Sequence, residues 1–158
     1  MKKLLEHYSQ FLKVALTFMM LLLIVPVFLQ IVSRFVSFIP RYIWTEEIAR
    51  FAFIWIIMLG ATIAVREGTH FSVDLLKNFS PRIENVLTQI LLVLTLIFSI
   101  FFLIGGWQFA KTGMLQKSEI AGLPMLSIYI SWPLAGLSWI LFVLEKLYDF
   151  YLMQNPED

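Results

Sequence analysis

The chain has 158 residues, of which 59% are hydrophobic and only 15% charged, and its net charge is +1. So little charge cannot solvate the surface of a soluble domain of this length, and the near-neutral balance gives no electrostatic footprint for nucleic acid. The lack of cysteine excludes a disulfide framework, a thiol nucleophile and thiolate metal ligation together.

The apolar residues form long blocks rather than a period of two or 3.6, which points to lipid as the solvent. Met1-Lys2-Lys3 before an apolar run resembles a secretory leader. The run from Val14 to Val32 is too long for a leader core and no small-x-small cleavage site follows it, so it reads as a retained first span. Pro26 removes a backbone donor there and predicts a mild kink. The second span runs from Ile48 to Val65, entered through Thr45-Glu46-Glu47, with Thr45 the expected N-cap and both acids favourable at a helix start. The third runs from Val86 to Ala110, with Ser80 as cap and Pro81 in the first turn. The fourth runs from Ile120 to Leu144 and contains Pro124 and Pro133. No repeat, low-complexity tract or boundary appears, so the expectation is a single domain over residues 1–158.

The connections are read as amphipathic. Phe35, Phe38, Ile39, Tyr42 and Ile43 recur at helical spacing around Arg34 and Arg41, although Pro40 interrupts them. Leu75, Leu76 and Phe79 beside Asp74 and Lys77 suggest a second, shorter surface helix. Trp44, Trp107, Tyr129 and Trp132 fall near span ends, as an aromatic belt would place them. The expected fold is thus an all-α membrane protein of four transmembrane helices with short amphipathic interfacial helices in the connections. Lys2, Lys3, Lys13, Arg66, Lys77, Arg82 and Lys146 lie on the side of the termini, against Arg34, Arg41, Arg50, Lys111 and Lys117 on the other. The excess of positive residues places both termini in the cytoplasm.

Of the ionisable residues only Arg50 falls inside a span, one turn from its end. A self-sufficient ion-coupled carrier keeps a carboxylate or another ionisable group near the midplane, so this chain is not expected to carry a coupled solute alone. Glu46 and Arg50 stand four apart and can pair, either as an interfacial anchor or as part of a contact surface around Trp44, Glu46 and Glu47. Arg66, His70 and Asp74 are also spaced by four, with Glu67 beside them, and form one charged stripe if the helix continues through Gly68. His70 in that stripe is either a pH-sensing group or a histidine bonded to a neighbouring carboxylate. Gly60, Ala64 and Gly68 repeat every four residues and would let another helix backbone approach, and Gly105-Gly106 and Ala135-Gly136 are further small pairs for similar contacts. His7 and His70 lie outside the spans, which leaves no intramembrane histidine pair for haem. Phosphate loops, zincin motifs and nucleophile elbows are all missing from the sequence, so no catalytic, cofactor-binding or metal site is expected.

The order of these features resembles a known family. Ser33-Arg34-Phe35 ends the first span, and Trp44-Thr45-Glu46-Glu47-Ile48-Ala49-Arg50-Phe51 opens the second. Trp55, Leu59-Gly60-Ala61, Ala64-Val65-Arg66-Glu67-Gly68-Thr69-His70 and Val73-Asp74 follow in order. The set is similar to the small (Q-type) membrane subunit of tripartite ATP-independent periplasmic (TRAP) transporters, most sharply from Trp44 to Leu76. The resemblance implies a scaffold subunit in the bacterial inner membrane, embedded among membrane lipids and paired with a large elevator-type subunit that holds the sodium and substrate sites. It further implies a periplasmic binding protein that delivers a carboxylate such as sialic acid or a C4-dicarboxylate. On that reading Arg34, Trp44, Glu46, Glu47 and Arg50 are partner contacts on the periplasmic side, and Arg66, Glu67, His70 and Asp74 form a cytoplasmic cluster. The alternative is an autonomous small channel or exporter built as a homo-oligomer.

Overall fold

The computed structural model describes residues 2–36, 38, 40, 42–68 and 81–154. Among them are five helices: α1 (Lys2–Phe35), α2 (Trp44–Glu67), α3 (Pro81–Met114), α4 (Leu126–Tyr129) and α5 (Ser131–Gln154). Four stretches are long and apolar enough to cross a membrane: Lys3–Phe35, Trp44–Glu67, Asn85–Met114 and Leu126–Phe150. The chain is a multi-pass membrane protein.

The helices outrun the predicted spans, α1 and α3 most clearly. At 34 residues α1 is about 50 Å long, well beyond the ~30 Å hydrocarbon core. Its first turns, rich in Lys, Leu, Glu and Gln, favour helix, and Leu5, Tyr8 and Leu12 anchor them to the core. The helix continues through Pro26. The third helix likewise starts at Pro81 and runs to Met114.

The fourth span is displaced from its predicted position. Residues 116–125 are a non-helical loop, α4 is a single turn, and α5 begins only at Ser131, which puts Pro133 in a first turn rather than inside a helix. The described residues between α1 and α2 (Val36, Phe38, Pro40, Tyr42 and Ile43) are not helical either. With α1 absorbing the chain up to Phe35 and Pro40 lacking a donor, too few residues remain to nucleate a separate helix. The second surface helix, at Leu75 to Phe79, lies outside the described residues.

The helices form an open row rather than a closed bundle: α1 packs on α2, α2 on α5, and α5 on α3. Since α2 and α5 both follow the same crossing direction they run parallel, with Thr62 beside Trp139 and Arg66 beside Glu145. Half of the most apolar window of α5 is buried against 6% of that of α1, which makes α5 the centre and α1 an edge. The core is Met58, Leu59, Ile63 and Val65 of α2 against Ala135, Trp139, Phe142 and Val143 of α5, closed by Leu12 and Leu92. Between α3 and α5, Phe102 stacks on Trp132 at 5.2 Å and lies 4.8 Å from Trp139. Trp132 is therefore part of this stack.

Glycine sets the α3–α5 distance. A Cβ on Gly136 would sit 2.6 Å from the Leu103 nitrogen, and one on Gly106 would sit 2.7 Å from the Pro133 nitrogen. Gly113 likewise lies close against α4, where a Cβ would sit 3.0 Å from the Leu126 nitrogen, whereas a Cβ on Gly60 would meet nothing within 4 Å.

Candidate functional site

Polar chemistry gathers at the two ends of the row. One end, the loop end, holds the start of α2, the end of α1 and the loop after α3. The other, the tail end, holds the start of α1 and the ends of α2 and α5.

At the loop end α2 starts one residue before Thr45, and Ile43 already has helical angles. Thr45 is thus inside the first turn and not the N-cap, which requires an extended backbone. Its buried hydroxyl donates to the Tyr42 carbonyl at 2.6 Å and accepts from Gln30 Nε2 at 3.3 Å, which ties α2 to α1. Glu46 and Arg50 pair across one turn at 3.5 Å, both well exposed. Such a pair contributes at most about 1 kcal/mol. Trp44 is exposed, with its ring 5.8 Å from that of Tyr42. Arg34 lies in the last turn of α1 and shares a polar pocket of about 210 Å³ with Gln30, Ser33 and Glu46.

Glu47 departs from the expected outward contact. It is turned inward, 7% exposed, and its Oε2 accepts the Ala121 backbone N–H at 2.6 Å. The loop it holds is a tight hairpin: Ser118 N donates to Leu123 O at 2.8 Å, Met125 N donates to Gln116 O at 3.0 Å, and Leu123 N donates to Ser118 Oγ at 3.1 Å. Gly122 turns it with φ of 65°, a region that L side chains rarely enter. Gly122 and Pro124 are the punctuation that could have revealed this turn in the sequence. Arg50, Gln116, Lys117 and Glu119 then surround a second polar pocket, of about 470 Å³.

At the tail end α2 does not continue through Gly68, the condition on which the expected stripe rested. Gly68 takes φ of 74° and its N–H donates to Ala64 O at 3.0 Å, an αL cap that ends α2. Gly68 thus serves as the C-terminal cap of α2. His70 and Asp74 lie outside the described residues. Arg66 instead donates to Glu145 Oε2 at 2.7 Å, with both side chains mostly buried and its guanidinium 5.0 Å over the Phe142 ring. Lys146 Nζ donates to Val65 O at 2.7 Å, meeting one of the carbonyls that a helix C-terminus leaves open. Lys13 pairs with Glu67 at 2.7 Å. Charge from α1, α2 and α5 is thus spent on joining the helices. Sequence reasoning missed Glu145 and Lys146 as partners, and nothing local links positions 79 and 81 residues apart.

Between the ends, hydroxyls are satisfied locally. Thr62 donates to Met58 O and accepts from Trp139 Nε1, Ser99 donates to Thr95 O, and Ser138 donates to Leu134 O. The described ionisable side chains lie towards the two ends.

Residues 22–151 match the family described as tripartite ATP-independent periplasmic transporters, DctQ component. The chain belongs to this family. It is a small permease subunit of a TRAP transporter. A putative TRAP transporter small permease protein of Haemophilus influenzae is 28% identical over 138 residues, 87% of this chain and 85% of the relative. The C4-dicarboxylate TRAP transporter small permease protein DctQ of Vibrio cholerae is 30% identical over 101 residues, 62% of this chain and 43% of the relative. The sialic acid TRAP transporter permease protein SiaT of H. influenzae is 33% identical over 109 residues, 63% of this chain but 18% of that much longer relative.

Proposed function

We propose that this subunit is the stationary scaffold of a sodium-driven TRAP transporter. In this reading a large elevator-type membrane subunit carries the sodium and substrate sites, and a periplasmic binding protein supplies a carboxylate solute. The observation that carries the reading is the open row. Two edge helices and most of the span surface are left for another membrane body, while the charged groups are used to brace the helices against one another. A row stiffened in this way suits a support that stays still while a neighbour moves. The match to a small fraction of the long SiaT chain supports a large permease as the neighbour. Sialic acid and C4-dicarboxylates, named in the relatives, are the solute class proposed.

The loop end faces the periplasm and the tail end the cytoplasm, in the bacterial inner membrane. Arg34, Trp44, Glu46 and Arg50 then form an exposed platform for the binding protein, with the hairpin around Lys117 beside it. Gly60 and Ala64, on the outward face of α2 with Phe53 and Ile57, receive a helix of the large subunit.

The test is affinity capture of the tagged chain from its native membrane in mild detergent, with mass spectrometry of what accompanies it. Recovery of one much larger polytopic protein in equal amount is expected. Recovery of this chain alone as a stable homo-oligomer would overturn the scaffold reading in favour of a small channel or exporter. Reversing Glu46 and Arg50 singly should weaken capture of the binding protein and lower uptake, and unchanged uptake in both variants would remove the platform.

A further inference from the structure

On the face of α2 opposite Gly60 and Ala64, α1, α2 and α5 enclose a slot of about 400 Å³. Trp55, Met58, Leu59 and Thr62 line it from α2, and these positions lie half a helical turn from Phe53, Ile57, Gly60 and Ala64. The slot therefore faces away from the surface assigned to a partner helix. It runs from the middle of α2 towards the tail end, inside the span. At its tail end α1 and α5 are joined: Ser138 gives its proton to Leu134 O, so the Tyr8 hydroxyl donates to Ser138 Oγ, at 2.7 Å. The rim residues Phe11 and Leu134 are exposed, so the slot opens sideways into the bilayer.

Three occupants are conceivable in hydrocarbon, and two fail on chemistry or size. Water needs polar partners, but every lining hydroxyl is already engaged, with Thr62 bonded to Met58 and Trp139, Ser131 to Ile128, and Tyr8 and Ser138 to each other. A helix is about 10 Å across with its side chains, and a groove that seats one leaves its floor open. Here the floor is closed: Leu12 is 5% exposed, Thr62 2%, Ser131 1% and Ala135 4%. Left empty, the lining would forgo its dispersion contacts on one side. A single flexible hydrocarbon chain fits the volume of about 400 Å³, the lack of polar demand and the lateral mouth. We propose that the slot binds one acyl chain of a phospholipid from the tail-side leaflet, lying along α2 with its methyl end towards Trp55. The chain acts as a wedge that holds α1 against α2 and α5 where those helices do not touch.

The inference does not depend on the identity of the large subunit, and its test is separate. The assembled complex is placed in nanodiscs containing phosphatidylcholine with a diazirine near the end of one chain, irradiated, and mapped by peptide mass spectrometry. Labelling is expected to be several-fold higher per residue at 12–19 and 55–59 than at the lipid-facing segment 21–28. Ala15→Leu and Ala135→Leu each fill the slot and should cut that labelling several-fold while leaving 21–28 unchanged. Two variants on different helices are used so that misfolding of one does not decide the result. Equal labelling of all three segments, unaffected by either variant, would overturn the proposal. So would labelling of the slot in the isolated subunit that disappears in the complex, since protein would then fill it.

Discussion

Glu46 and Glu47 are neighbours with opposite fates, and a helical turn of 100° per residue is the reason. Glu46 stays in solvent with Arg50, whereas Glu47 swings under the loop and takes the Ala121 N–H. Removing the second leaves a part-buried backbone donor without its partner, a loss of about 1 kcal/mol or somewhat more, whereas removing the first affects a surface pair of at most about 1 kcal/mol. Glu47→Ala is therefore expected to speed tryptic cleavage after Lys117, Glu47→Gln to speed it less because its amide oxygen still accepts, and Glu46→Ala to leave it unchanged. Equal cleavage of all three would show that the loop does not hang on Glu47. The Glu46–Arg50 spacing was legible in the sequence because both partners lie in one helix. The roles of Glu47 and Arg66 were not, because their partners, Ala121 and Glu145, are distant in sequence and reach them only through packing.

Helix identity was legible and helix ends were not. Apolar length gave four spans, but hydropathy does not distinguish a membrane-embedded turn of helix from an apolar loop, so Ile120 was placed in the fourth span despite Gly122 and Pro124. Small residues show the same limit. Gly60 and Ala64 carry the regular spacing of a packing motif, yet the α3–α5 contact uses Gly106 and Gly136, small residues the sequence offers without showing which helix lies opposite. Gly136→Ala places a methyl group against backbone and should destabilise the subunit by about 1–3 kcal/mol, read as a lower melting temperature in detergent. Gly60→Ala meets open space and should be neutral or stabilising by up to about 1 kcal/mol in the isolated subunit. If Gly136→Ala matched the parent, the tight α3–α5 approach would be wrong.

For the whole molecule the decisive feature is that the row has two edges and an orientation. With no native cysteine, single replacements report sidedness without background. A membrane-impermeant maleimide applied from the periplasmic side is expected to label Lys117→Cys and to spare Lys3→Cys until the membrane is permeabilised. The reverse pattern would invert the subunit and move the platform to the cytoplasm. By itself the sequence determined the solvent, the number of crossings and the family, because each depends on composition, segment length or the order of residues along the chain. Only the tertiary structure decided that α2 and α5 run side by side as the centre, that Arg66, Glu145 and Lys146 brace one end while Glu47 pins a hairpin at the other, and that α1 leaves a slot beside α2. These follow from which helices touch, and hydrophobic runs of similar length and composition do not encode their own neighbours.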